Sequence, residues 1–216
     1  MLKIYGSDLS SPSNKVRFVA NHLGLKYDYN RVNLRQGEQR KPEFLQINPV
    51  GKIPAIDDHG FHLFESGAII KYLADREKSP IYPSGLKERA MTDQWIDFLN
   101  LHVALGISKV TYNRLFAPMR GEEIDERSIK DGLTFLSKHL PVCDAQLANG
   151  KYFLGKDISL CDFTLLAVLD PAEAIDVDLL IYKNITKWRA ELKAKSFYTQ
   201  CHKDYRDVLN ALMAKK

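Results

Sequence analysis

At 216 residues the chain is long for one small domain and sufficient for two. Its 45% hydrophobic and 27% charged residues suit a protein that buries a core and exclude a disordered one. The formal charge of +4 comes without basic blocks, which argues against a nucleic-acid partner but leaves a mild pull on small anions.

No apolar run approaches the ~20 residues that cross a bilayer, so no membrane partner is expected. The opening Met1–Gly6 is too short and broken for a secretory signal, and the cytosol is the expected location. Cys143, Cys161 and Cys201 lack metal-ligand spacing. They read as small buried side chains, and no metal site is expected.

In chain order, Leu2 to Tyr5 reads as a short strand ending at Gly6. Ser10-Ser11-Pro12 has the serine cap and early proline of a helix start, and Gly24 closes that helix. Tyr27 to Asn33 alternates as a second strand. Residues 35–48 read as irregular, with a short helix around Pro42 to Gln46. Ile53 to Asp57 is a strand entered at a proline, His59-Gly60 a turn, and Phe61 to Glu65 its hairpin partner. Ser66 then caps an apolar helix. This alternation predicts a mixed sheet covered by helices.

Beyond residue 78 the pattern changes. Residues 79–86 form a linker rich in proline, serine and glycine. From Lys87 onward only helical periodicity remains. Met91, Trp95, Phe98, Leu99, Val103 and Leu105 form one stripe, and Ile124 to Leu147 a second helix with Pro141 inside it. Ser159 to Leu169, Ile185 to Leu192 and Tyr198 to Met213 supply three more.

Three short segments carry chemistry. In Val50-Gly51-Lys52-Ile53-Pro54-Ala55, the proline entering a strand reads either as an edge-strand proline or as a cis peptide. The second case would free the Ile53 backbone to pair with an extended peptide ligand. In Phe64-Glu65-Ser66-Gly67-Ala68-Ile69, the helix start offers N–H groups to a carboxylate while Glu65 can meet an ammonium. An acid beside an anion site suits an α-amino acid. Finally, a hydroxyl of Ser10 or Ser11 at a helix N-terminus can donate to a thiolate. A shift of about two pKa units would leave a thiol mostly ionised at neutral pH.

The order and spacing of these pieces resemble the cytosolic glutathione transferase superfamily. The matching segments are Asn48–Ala55 and Leu63–Leu73, with Ile158–Phe163 and Asn184–Trp188 in the later half. Ser159 and Asp162 independently have capping-box spacing. The resemblance covers nearly the whole chain and implies an α/β plus all-α fold. A thioredoxin-like N-terminal domain with a mixed four-stranded sheet would span residues 1–78, and an all-helical domain residues 87–216.

Theta, delta and phi members use a serine after the first strand. The resemblance thus makes Ser10 the candidate that activates the thiol, with Ser11 as the alternative. It assigns Ile53, with Pro54, to the cysteinyl backbone of glutathione and Glu65 and Ser66 to its γ-glutamyl end. Lys52, Gln39 and Arg40 would face a glutathione carboxylate. A hydrophobic electrophile would sit against Leu9, Tyr112 and Phe116, with Leu105 and Arg114 as further linings. Glutathione is then a co-substrate, with no permanently bound cofactor. The implied partner is a second copy of the chain, towards which Asp97 or Asn100 would reach. Gly67 departs from the arginine of many members, and no cysteine occupies the first loop. A glutathione-dependent lyase, isomerase or dehalogenase would share this site, and a non-catalytic regulatory protein would share the fold.

Overall fold

The computed structural model describes residues 1–214. β1 (Leu2–Gly6) leads through a loop to α1 (Ser11–His22), then β2 (Tyr27–Arg31) and the short α2 (Pro42–Leu45). β3 (Ala55–Asp58), β4 (Phe61–Phe64) and α3 (Ser66–Arg76) complete this part. The sheet has the order β2-β1-β3-β4, with β1 parallel to β2 and the other pairs antiparallel. This is the expected mixed, thioredoxin-like sheet, with α1 and α3 packed together on it.

From α4 (Leu86–Phe98) onward the elements are helical. One run continues through a π-turn at Leu99–Val103, α5 (Ala104–Thr111), a π-turn at Tyr112–Phe116 and α6 (Ala117–Arg120). It is followed by α7 (Glu126–Leu147), α8 (Leu160–Leu169), α9 (Lys183–Lys193), α10 (Ser196–Thr199) and α11 (Tyr205–Met213). α8 is buried along its whole length and contacts α1, α4 and α5. One apolar core therefore runs without a break from Ile4 and Ile56 in the sheet to Trp188 and Tyr198.

Two expectations are corrected. The buried stripe of the long run is Thr92, Ile96, Leu99, Val103, Ile107 and Val110, while Met91 and Leu105 are exposed. Trp95 and Phe98 are half-buried and stack edge-on to each other. The last predicted helix is broken between Thr199 and Tyr205, because His202 turns inward to Asp170 and Asp204 restarts the helix by accepting from the Arg206 amide.

Asp162 fastens the helical part. Its carboxylate accepts from the Phe153 and Ser159 amides and the Trp188 indole, each at 2.8 Å, and from the Ser159 hydroxyl at 2.9 Å. Burial pushes this carboxyl upward, and the donors only partly offset it. Asp162→Ala would orphan four buried donors. Thermal and urea unfolding should show a loss of about 3 kcal/mol or more, roughly 6–12 °C in melting temperature.

Candidate active site

The chain ends of β1 and β4 and the entry to β3 lie at one end of the sheet, since Tyr5 pairs with Ala55 and Ala55 with Phe64. A cavity of about 1580 Å³ opens there. That exceeds the roughly 300–1000 Å³ of a single small-ligand site and leaves room for two ligands. Ser10, Ser11, Lys52, Ile53, Glu65 and Ser66 all line it, as do Leu9, Leu105, Tyr112 and Phe116.

Ser10 is the N-cap of α1. Its oxygen accepts from the Ser13 amide at 3.3 Å, which leaves the hydroxyl proton free to donate. Ser11 is the first helical residue and makes no side-chain hydrogen bond within the described residues. Asp8, two residues before Ser10, is held by Arg17 at 2.9 Å and Arg31 at 2.7 Å. Its charge is thus largely neutralised towards anything bound at Ser10.

The Ile53–Pro54 peptide is cis. Neither backbone polar group of Ile53 is bonded within the described residues, whereas the neighbouring Lys52 carbonyl accepts from Asn48 at 2.6 Å. Ile53 therefore presents a free donor and acceptor beside the cavity.

Glu65, not Ser66, is the N-cap of α3. It holds φ +67° and ψ 110°, a strained combination for a residue with a Cβ, and its side chain does not cap the helix. The Glu65 carbonyl accepts from Ile69, but the Ser66, Gly67 and Ala68 amides find no acceptor among the described residues. They form an uncapped, positive helix end on the cavity wall.

Four sequence-derived residues stand elsewhere. Gln39 and Arg40 belong to a 3₁₀ turn at Glu38–Arg40 and do not line the cavity. The Gln39 carbonyl lies so close to Gly51 that an added Cβ there would stand 3.1 Å from it, which holds the turn against the loop after α2. Arg35, from the preceding turn, lines the cavity instead. Arg114 also leaves the site, donating to the Ile175 and Asp176 carbonyls. Pro54 is buried beneath the rim.

The lining includes groups that the sequence pattern did not flag. Lys15 and Lys71 join the polar end, and Val208, Ala211 and Leu212 of α11 close the apolar end; Asp97 and Asn100, expected to reach towards a second copy, line this chain's own cavity as well. Burial pushes the Lys15 amine down to about 8, Lys71 pushes the same way, and Glu65 opposes them. The basic lining residues Lys15, Arg31, Arg35, Lys52, Lys71 and Arg120 outnumber the acidic Asp8, Glu65 and Asp97, so the site favours an anionic ligand.

Burial disfavours ionisation of the chain's own thiols. Burial pushes Cys143 up to about 12 and Cys201 up to about 11, and raises Cys161 as well. A thiolate at Ser10 would have to arrive with a ligand.

Comparison with known proteins gives an independent line of support. Residues 2–75 match the family model of the glutathione S-transferase N-terminal domain, and residues 106–195 that of the C-terminal domain. A glutathione S-transferase of Arabidopsis thaliana is 34% identical over 77% of this chain and 78% of its own length. A glutathione transferase of Populus trichocarpa superposes with a TM-score of 0.83 at 28% identity, over 93% of this chain and 97% of that one. A glutathione S-transferase-I solved with the ligand lactoylglutathione superposes with a TM-score of 0.84 at 29% identity, over the same shares of the two chains.

The strain at Glu65 is measurable. Glu65→Gly should raise the melting temperature by about 2–4 °C, since relief of about 1–3 kcal/mol exceeds the entropic cost of glycine, about 0.5–1 kcal/mol. Glu65→Ala keeps the strained backbone and should leave the melting temperature within about 1 °C of the starting value. Equal melting of the two variants would show that the backbone is relaxed.

Proposed function

The chain belongs to the glutathione S-transferase family and acts as a glutathione transferase, and on that premise we propose that Ser10 holds the glutathione thiolate while a hydrophobic electrophile occupies the apolar end of the cavity. The observation that carries this reading is the convergence of unfilled hydrogen-bonding groups. The Ser10 hydroxyl, the Ile53 backbone pair and the bare amides of α3 all open on one cavity at one end of the sheet.

The tripeptide would lie extended across that end. Ile53 pairs with its cysteinyl backbone as an added strand would. The Ser66 hydroxyl and the N-terminus of α3 receive the γ-glutamyl carboxylate, and Glu65 its ammonium. Lys52 and Arg35 are the cations within reach of the glycyl carboxylate. Residues 1–78 would thus bind glutathione and residues 87–216 hold the second substrate. The same reading has the chain working as a homodimer in the cytosol. Among the described residues no helix is long and apolar enough to cross a membrane.

The chemistry is one displacement. The thiol proton leaves to solvent, and the thiolate accepts a hydrogen bond from Ser10 while the positive end of α1 favours its charge. Sulfur then attacks the electrophilic carbon held against Leu9, Tyr112 and Phe116, forming a C–S bond as the leaving group departs with its electron pair.

With 1-chloro-2,4-dinitrobenzene, Ser10→Ala should lower kcat at least about tenfold, with little change in glutathione affinity and a higher apparent pKa for the thiol in the pH–rate profile. Ser11→Ala should stay within about threefold of the starting enzyme. The reverse pattern would move the role to Ser11.

A further inference from the structure

Lys15, Arg17 and Arg189 are the buried cationic side chains among the described residues. Two of them have carboxylate partners: Arg17 pairs with Asp8 and Arg189 with Glu173. Lys15 has none. Its ammonium, in a residue only 3% exposed, donates to one neutral group, Asn100 Oδ1, at 2.9 Å. An ammonium taken out of water without a counter-ion is costly, and two of its three donors are left unused. Since Lys15 lines the cavity, the counter-ion can come with a ligand.

The surroundings say which part of the ligand. Asn100 sits on the π-turn between α4 and α5, and its Nδ2 lies 3.6 Å from where a Cβ on Gly67 would stand. Lys15, Asn100 and the bare amides at the start of α3 are therefore contiguous. The charged side chains that bear on Lys15 are Glu65 and Lys71, both at α3, and not Asp8 of the Ser10 loop. Lys71 is itself committed to Asp93 at 2.8 Å. The absence of a side chain at Gly67 leaves the space between Asn100 and the helix end open.

Resting on the glutathione reading, we propose that Lys15 is the counter-cation for the α-carboxylate of the γ-glutamyl group, held in place by Asn100 and admitted by Gly67. The residue then determines specificity. It selects ligands that carry this carboxylate without taking part in the chemistry at sulfur.

The test pairs side chain with ligand group. Dissociation constants are measured calorimetrically for reduced glutathione and for 4-aminobutanoyl-cysteinyl-glycine, which lacks only the α-carboxylate. In the unaltered chain glutathione should bind at least about tenfold more tightly than the analogue. Lys15→Met should weaken glutathione by about tenfold to a hundredfold while changing the analogue less than about twofold. Removing an unpaired buried charge should not lower the melting temperature, and Lys15→Gln serves for the same comparison if the methionine variant fails to fold. Equal loss for both ligands, or loss for neither, overturns the assignment of Lys15. An unaltered chain that binds both ligands equally tightly overturns carboxylate recognition. Failure of the unaltered chain to bind either ligand overturns the glutathione reading, and this inference with it.

Discussion

The geometry of the sheet end governs the site. β1 and β4 both run antiparallel to β3, so they point the same way and finish side by side across it, with Tyr5, Ala55 and Phe64 in register. The helices that follow them, α1 and α3, must both begin at that end. Two helix N-termini with their free amides and positive dipole ends thus face one cavity. The segment feeding β3 passes between them, which puts Ile53 there as well. The Ser10 hydroxyl, the free backbone of Ile53 and the bare helix end at Ser66 are separated by 43 and then 13 residues in sequence, yet chain connectivity brings them together. The left-handed backbone of Glu65 is where this arrangement stores strain, because the chain must leave β4 and enter α3 within one residue.

The helical part is joined to that sheet end. α8 lies against α1 as well as α4 and α5, and Phe18 of α1 packs on Phe197, Tyr198 and His202. Asp170, fully buried at the end of α8, accepts from the Tyr198 hydroxyl at 2.7 Å and pairs with His202 at 2.8 Å. This pins the break before α11. Tyr205, the first residue of α11, donates to the Leu9 carbonyl at 2.8 Å, directly before Ser10. The helix that closes the apolar end of the cavity is therefore tied to the loop that carries Ser10. Whatever displaces α11 also pulls on that loop.

Much of this was legible in the sequence because it depends on local rules. Ser10-Ser11-Pro12 announces a helix start through cap chemistry, and the hairpin of β3 and β4 through His59-Gly60. The spacing of Ser159 and Asp162 shows which helix is fastened inside. What was not legible depends on distant contacts. Lys15 reads as an ordinary charged helix residue until α1 is seen to be buried from Ser13 to Ala20. In the long run after Leu86, aromatic side chains suggest a stripe through Met91 and Leu105. The actual buried line passes through the less conspicuous Thr92, Ile96 and Ile107, because α7 and α8 claim that face. The break after Thr199 follows from Asp170, about thirty residues upstream. The resemblance assigns Gln39 and Arg40 to a glutathione carboxylate, but their turn packs against Gly51 off the cavity, which Arg35 lines instead. Asp204, which caps α11 by accepting from the Arg206 amide, is a local signal for that helix start.

The charge layout explains why such a cavity can hold two anionic centres of one ligand apart. At the Ser10 end the Asp8 carboxylate is shared between two guanidinium groups, so a sulfur anion placed there would meet a helix dipole and a hydroxyl with little repulsion from Asp8. At the α3 end the helix amides are supplemented by a buried ammonium that has no carboxylate of its own. A neutral or cationic ligand would leave that ammonium unbalanced, whereas a ligand with a carboxylate at one end and a thiolate at the other balances both. Ile53 lines the same cavity, and on the proposed reading its neutral backbone groups would hold the ligand extended and so fix the distance between its charges. The apolar wall that includes Leu9, Phe116 and α11 would then receive the uncharged electrophile, which costs little to desolvate against such side chains.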